Sequence, residues 1–238
     1  MIDLYANSQI NILSVSGGKD STAMYLHALE LGVPFQAVFA DTGNEHEITL
    51  DYIRQLPART GGPEIEWVSA DFSEDFARKR RYIIKYWPAE GVPQEKVEQA
   101  ASEMASTGSL FLDCCKMHGL FPGGVKMKFC TSDLKIEPIS NYHDRYLEDG
   151  KTVVSWVGIR AEESIKRAKL PEIETEPGCN RIVYRPLLSW TLADVGQHPC
   201  PAWPGNEPSL PDGLFSRRLH ALHQCVEGRN SPDRQTVS

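Results

Sequence analysis

The sequence has no apolar run approaching the roughly 18 residues that a membrane span needs, and no basic-then-apolar pattern over Met1 to Asn11. A cytoplasmic protein with no membrane partner is expected. A surplus of Lys and Arg is also missing: 25 of these stand against 32 Asp and Glu, for a formal net charge of -7. A protein that coats nucleic acid needs that surplus to displace counterions, so nucleic acid is expected to be met only indirectly. No internal repeat or low-complexity tract occurs. The six cysteines do not suggest a disulfide framework, because a chain of 238 residues buries a core without staples and the expected compartment is reducing. Catalytic, metal-binding or merely buried thiols are the alternatives. The seven histidines show no zinc-like spacing with those cysteines.

The last absence is local. From Gly196 to Ser238 there is no Lys, Ile, Met or Tyr, while six of the sixteen prolines fall there. Such a segment is poorly suited to extending a packed sheet. An irregular Pro-rich tail is therefore expected over 196–238, with at most one short helix around Leu214 to Val226, after a folded domain over 1–195.

Within that domain, apolar runs alternate with helical patterns. Ile10 to Val15 and Phe35 to Ala40 predict buried strands. Asp20 to Leu31 predicts a helix stopped by Gly32, and Glu45 to Leu56 a helix cut short by Pro57. Ile65 to Ala70 and Thr152 to Ile159 predict further strands, and Ser73 to Tyr86 another helix. Strands alternating with helices predict an α/β fold, a mostly parallel Rossmann-like sheet with helices on both faces. Ligands bind such sheets beyond the carboxyl ends of the strands, so residues 16–20 and 41–45 should face one crevice. Between Pro88 and Cys130 a polar helical stretch (Gln94 to Ser106) precedes Leu110 to Gly124, where Cys, Gly and Pro crowd together. A helical, Cys-containing insertion over about 88–130 that packs over the crevice is expected.

The strongest local signal is Ser14-Val15-Ser16-Gly17-Gly18-Lys19-Asp20-Ser21-Thr22, directly after a strand and opening a helix. The two glycines let the backbone approach a polyanion, the helix start presents unpaired N–H groups, and Ser16, Lys19, Ser21 and Thr22 add donors. The plainer alternative is a tight turn capped by Asp20 or Ser21. A Walker loop is excluded, since Leu13 and Asp20 stand where that pattern needs Gly and Ser or Thr.

Ser16-Gly17-Gly18-Lys19-Asp20-Ser21 resembles the Ser-Gly-Gly-x-Asp-Ser signature of the PP-loop ATP pyrophosphatases, which implies cleavage of ATP between its α and β phosphates. Three further segments resemble the phosphoadenosine phosphosulfate (PAPS) reductase family within that adenine nucleotide alpha hydrolase-like superfamily. These are Asp41-Thr42-Gly43, implied to line the nucleotide site; Gly158-Ile159-Arg160 through Glu163-Ser164 to Arg167; and Pro186-Leu187 running through Trp190-Thr191 to Asp194-Val195. The resemblance covers about residues 10–195. Arg160 and Arg167 offer planar forks to phosphate or sulfate oxygens, with Glu163 placed to hold one of them. A solvated helix face with ordinary ion pairs is the plainer reading of that segment, and core packing the plainer reading of Trp190. The basic run Arg78-Lys79-Arg80-Arg81 offers a contact to nucleic acid, with a basic face on an amphipathic helix as the plainer reading.

Within the family the chain resembles the ATP-using members and the PAPS-reductase-like proteins of phages and DNA-modification systems, because the Lys19-Asp20 pair is intact. True PAPS reductases lack that pair and carry a C-terminal nucleophilic cysteine, for which Cys225 is a poor match. Leu112-Asp113-Cys114-Cys115-Lys116 and Lys128-Phe129-Cys130-Thr131 resemble the first two cysteine segments of the phage-type proteins. In several of those, two such cysteines join a later Gly-Cys-x-x-Cys pair around an iron–sulfur cluster, which needs four thiolates. Here the later pair is absent, leaving Cys200 and Cys225. Either Cys115, Cys130 and some of Cys179, Cys200 and Cys225 form an altered 4Fe-4S site, or the insertion cysteines are structural and the cluster is lost.

The resemblance implies an enzyme that binds ATP with Mg²⁺ and transfers AMP to a small oxyanion or sulfur-linked acceptor, releasing pyrophosphate. Ser16, Gly17, Gly18, Lys19, Ser21 and Thr22 would cradle the β and γ phosphates. Asp20 and Asp41 would hold the metal, and Arg160 and Arg167 would meet the acceptor or the α phosphate. Two alternatives stand beside it: a thiol-dependent PAPS reductase, and a nucleotide-binding subunit without turnover that serves a DNA-modification or sulfur-activation complex. A protein partner or a homodimer is the expected protein–protein contact.

Overall fold

The computed structural model describes residues 4–122 and 128–197. In the first half, β1 (Gln9–Ser14), β2 (Phe35–Asp41) and β3 (Ile65–Ser69) alternate with α1 (Lys19–Glu30), α2 (Glu47–Thr60) and α3 (Ser73–Tyr86). The insertion follows as α4 (Gln94–Glu103), α5 (Leu110–His118) and a single turn, α6 (Phe129–Thr131). The latter passes through a wide π turn at Ser132–Ile136 into α7 (Glu137–Glu148). Last come β4 (Thr152–Trp156), β5 (Ile173–Thr175), β6 (Arg181–Tyr184) and α8 (Leu192–Gln197). Gly196 and Gln197 of the expected 196–238 tail close α8; the rest of that tail, its short helix, Cys200 and Cys225 lie outside the described residues.

The strands form one sheet in the order β3-β2-β1-β4-β6-β5, parallel except for β5, which runs antiparallel to β6 at the edge. Successive side chains of a strand point to opposite faces, and both faces are covered here. Leu13, Val154 and Trp156 pack with Met24 and Ala28 of α1 and with Leu187 and Val195. Their neighbours Ile12 and Val153 pack on the other side with Val38 and with Tyr142 of α7. Buried Asn11 serves as a polar fastener, with its Nδ2 donating to Leu4 O at 2.8 Å and Pro34 O at 3.0 Å. Its Oδ1 accepts from Trp156 Nε1 at 3.1 Å, so no buried polar atom of this trio is left unpaired.

The chain leaves β1 toward β2 and β3 and later returns to place β4 on the other side of β1. That reversal is the topological switch point, where neighbouring loops diverge and open a crevice above the strand ends. The loops after β1 and β4 therefore face one another.

Two expectations about elements change. The helix expected to end before Pro57 runs on to Thr60. Proline removes only the one N–H that would bond a carbonyl in the preceding turn, and here it falls in the last turn, where buried Pro57 itself packs inward. Gly61, at φ 68°, ends the helix by donating to Pro57 O. Secondly, β5 and β6 were not expected, since β5 is three exposed residues and β6 opens on Arg181. β5 is a strand through its pairing with β6, and the apolar run of β6, Ile182 to Tyr184, is only three residues long.

His143 on α7 is buried, and its Nε2 has no hydrogen-bond partner. Burial, then the neighbouring Arg181 guanidinium, pushes its pKa down from 6.5 to about 4. The unfolded chain takes up this proton below pH 6.5 while the folded chain refuses it until about pH 4, so stability falls as pH drops through that window. Urea unfolding is expected to show a loss of about 2 kcal/mol at pH 5 relative to pH 8 from this group, a loss absent in His143→Leu.

Candidate nucleotide site and the insertion thiols

The loop after β1 carries the geometry that the sequence suggests. Gly17 has φ 72°, a conformation that suits glycine, and a Cβ there would lie 2.7 Å from Thr49 Cγ2 of α2. Gly18 is the N-cap of α1 and no side chain caps the helix, so the first-turn amides face the crevice without a competing side-chain acceptor. The loop is closed internally by Ser21: its Oγ accepts from Ser16 N at 3.1 Å, donates to Gly18 O at 3.0 Å and lies 3.1 Å from Ser16 Oγ. Ser16 is exposed, whereas Lys19 and Asp20 are half-buried. Ser14 sits at the end of β1, in register with Val38.

Thr22 departs from the expected role. It is fully buried and its Oγ1 accepts from Tyr52 OH of α2 at 3.4 Å, so it packs the helix instead of presenting a donor to the crevice. Ser21 is also nearly buried, and it acts through the loop's shape.

Across the switch point, the loop after β4 brings Arg160 against the phosphate loop. Arg160 is 4% exposed, and its Nε donates to Asp20 Oδ1 at 2.7 Å. One terminal nitrogen pairs with Glu162. The approach depends on Gly158, where a Cβ would stand 3.1 Å from Asp20 O and 3.3 Å from Ser21 Cα, both backbone atoms. Glu163 ties the next turn together, accepting from Arg160 N at 3.0 Å and pairing with Arg167. Burial pushes the Glu163 carboxyl up, but the Arg160 amide and the Arg167 guanidinium outweigh it and hold the group below its ordinary value. Arg167 remains 40% exposed, at the rim.

The loop after β2 is shaped by its own carboxylates. Asp41 Oδ1 accepts from Gly43 N at 2.8 Å, and Gly43 has φ 68°. Buried Thr42 donates from N and Oγ1 to the two oxygens of Glu45 at 3.1 and 2.7 Å. Glu45 is a site-shaping residue whose signal, Thr-x-x-Glu before a helix, was present in the sequence. A Cβ at Gly43 would lie 3.2 Å from Leu110 Cβ, so the insertion reaches the rim of this loop at the start of α5. The basic run on α3 is engaged within the protein: Arg80 Nε donates to Ala101 O of α4 at 3.1 Å, and Lys79 reaches Met117 O of α5. Trp190 packs at the edge of the core with an edge-on contact to His27, as the plainer reading expected.

The insertion gathers its thiols. Cys114 and Cys115 are buried on α5, and Cys130 packs beside Cys114 against Phe72, Phe76 and Leu134. Burial, with Asp133 and the neighbouring thiols adding to it, pushes Cys114 up to about 12, and burial with Cys130 raises Cys115. Both are therefore thiols rather than thiolates at neutral pH, which makes them poor nucleophiles as they stand. Cys179 lies in the turn between β5 and β6, its Sγ 3.4 Å from Glu176 Oε2. A four-iron cluster needs four thiolates, and among the described residues only three cysteines converge. The histidine expectation also changes. Cys114 and His118 stand four apart on α5, and their ligand atoms lie with an oxygen of Asp133 within 4.8 Å of one another.

The model of the phosphoadenosine phosphosulfate reductase domain matches residues 10–198. An uncharacterized 37.8 kDa protein of Escherichia phage 186 is 41% identical over 214 residues, which cover 82% of this chain and 62% of that protein. An uncharacterized nin region protein of Escherichia phage lambda is 27% identical over 186 residues, covering 76% of this chain and 58% of that one. The chain thus spans about three fifths of the length of these curated relatives. Among solved structures, a phosphoadenylyl-sulfate reductase from Candida auris in complex with phosphate aligns with TM-score 0.47 and 19% identity over 79% of this chain and 70% of that one. No helix among the described residues is long and apolar enough to cross a membrane. With the family model spanning the whole sheet and both loops of the switch point, the chain belongs to the phosphoadenosine phosphosulfate reductase domain family of nucleotide-binding enzymes.

Proposed function

We propose that the chain binds ATP with Mg²⁺ at the switch point and cleaves it between the α and β phosphates, transferring AMP to an oxyanion or sulfur-linked acceptor. The observation that carries this reading is the loop after β1. It combines an uncapped helix start, a left-handed Gly17 and the Lys19-Asp20 pair, with Asp20 locked onto a buried arginine from the opposite loop.

Ser16, Gly17, Gly18 and Lys19 hold the β and γ phosphates, with Ser21 keeping the loop in shape. As the α–β bond breaks, negative charge grows on the leaving pyrophosphate. The Lys19 ammonium and the amides at the uncapped start of α1 stabilise that charge as fixed donors. The buried Arg160 fork, oriented by Asp20 and Glu162, meets the α phosphate, and Arg167 at the rim meets the acceptor. Asp41 and Asp20 would hold Mg²⁺, to which their hard carboxylate oxygens are suited. The bound ion would add charge neutralisation on the leaving oxygens. No step needs the insertion thiols.

The competing substrate is PAPS, and its product, adenosine 3′,5′-bisphosphate, separates the two readings. Calorimetric titration is expected to give at least about tenfold tighter binding for ATP–Mg²⁺ than for adenosine 3′,5′-bisphosphate, a gap of about 1.4 kcal/mol. The reverse order would favour the reductase reading.

A further inference from the structure

We propose that the insertion carries a mononuclear transition-metal site, built by Cys114 Sγ, His118 Nε2 and Asp133 Oδ2 and suited to zinc. Cys114 and His118 lie one turn apart on α5, so both side chains project from one side of that helix. Asp133 comes from the π turn that leads into α7, a widened turn of a kind that often marks functional positions.

The separations are those of ligands around a small ion. Cys114 Sγ is 3.9 Å from Asp133 Oδ2, and tetrahedral zinc with ordinary bond lengths puts sulfur and oxygen roughly 3.5 Å apart. His118 Nε2 is 2.6 Å from the same oxygen, so the two now share a hydrogen bond where an ion would sit at roughly 3.3 Å spacing. On binding, Cys114 releases its thiol proton to solvent, and His118 and Asp133 give up their mutual hydrogen bond to the metal. The imidazole is held for this by stacking on Phe129, with centroids 4.0 Å apart and planes 23° from parallel.

The donor set selects the ion class. One sulfur, one imidazole nitrogen and one carboxylate oxygen suit a borderline ion such as zinc, whereas Mg²⁺ and Ca²⁺ take oxygen throughout. Three protein ligands leave a fourth position, for which Cys130 in the same apolar cluster is the nearest thiol by sequence to Asp133. The site would pin α5 to the π turn before α7. It is independent of the nucleotide reading: failure to bind ATP would leave it standing, and failure to bind metal would leave the phosphate loop untouched.

The test is anaerobic titration of chelator-treated protein with Zn²⁺ against a chromophoric competitor, repeated with Co²⁺ to read the visible bands of a tetrahedral thiolate-bound ion. We expect one equivalent of Zn²⁺ and tetrahedral Co²⁺ bands. His118→Ala and Asp133→Asn should each weaken binding by about 100-fold or more, beyond the roughly 10–100-fold cost of an outer partner. Cys179→Ser should leave the affinity unchanged. Both ligand variants alter partly exposed side chains, and circular dichroism checks that they fold. The proposal is overturned by absence of saturable zinc binding or by zinc affinity indifferent to His118→Ala and Asp133→Asn. Iron and sulfide in the anaerobically isolated protein, lost on Cys115→Ser, would overturn it equally, because the thiols would then serve a cluster.

Discussion

Lys19→Ala is expected to slow pyrophosphate release from ATP by roughly 10²–10³-fold, the range found when a single preorganised donor to a developing oxyanion is removed. Stability should move by less than about 0.5 kcal/mol, because Lys19 is a half-buried residue in the first turn of α1 and alanine is an excellent helix former. Its ammonium carries a full positive charge on the phosphate loop, where the backbone amides carry only partial charge. Pyrophosphate release by continuous assay, with urea unfolding of the same sample, reads both effects. A variant that cleaved ATP at the native rate would remove Lys19 from the site.

Asp20→Ala should behave differently although it is the adjacent residue. Its carboxylate is the partner of Arg160 Nε at 2.7 Å, and that arginine side chain is only 5% exposed. Removing one member of a buried ion pair leaves an undercompensated charge, which costs 3–5 kcal/mol in well-buried cases. Glu162 still faces Arg160, so a loss of about 3 kcal/mol is expected, at the lower end. Activity should fall too, since Arg160 would no longer be held toward the α phosphate. The pair of variants therefore separates a residue that acts on the ligand alone from one that also holds a buried arginine in place. Equal stability of the two would contradict the structural role assigned to Asp20.

Much of this was legible in the sequence because it is written in contiguous residues. The apolar run of β1, the two glycines, Lys19-Asp20 and the start of α1 follow one another without a gap, so strand, loop and helix start are read together. The same holds for Asp41 to Gly43 at the end of β2. What the sequence did not reveal depends on distant residues meeting. Thr22 looks like one more hydroxyl on the loop, and only the packing of α2, which brings Tyr52 to its Oγ1, turns it inward. Gly158 reads as the start of an arginine motif, yet its reason is the backbone of Asp20 and Ser21 pressing on it from 137 or more residues away. β5 is three exposed residues and becomes a strand by pairing, and Ile182 to Tyr184 of β6 make an apolar run too short to stand out between Arg181 and Arg185. In the insertion, a search for paired zinc spacings passes over Cys114 and His118, because their third partner, Asp133, arrives from beyond the turn of α6.

The central claim is that the loop after β1 directs cleavage to the bond between the α and β phosphates. Following ATP labelled separately at the α and γ positions, with Mg²⁺ and a panel of sulfur and oxyanion acceptors, tests it most directly. The expected result is γ label in pyrophosphate and α label in AMP or an adenylylated acceptor, both suppressed in Lys19→Ala. Release of γ label as inorganic phosphate with ADP remaining, or ATP recovered intact under every condition, would contradict it.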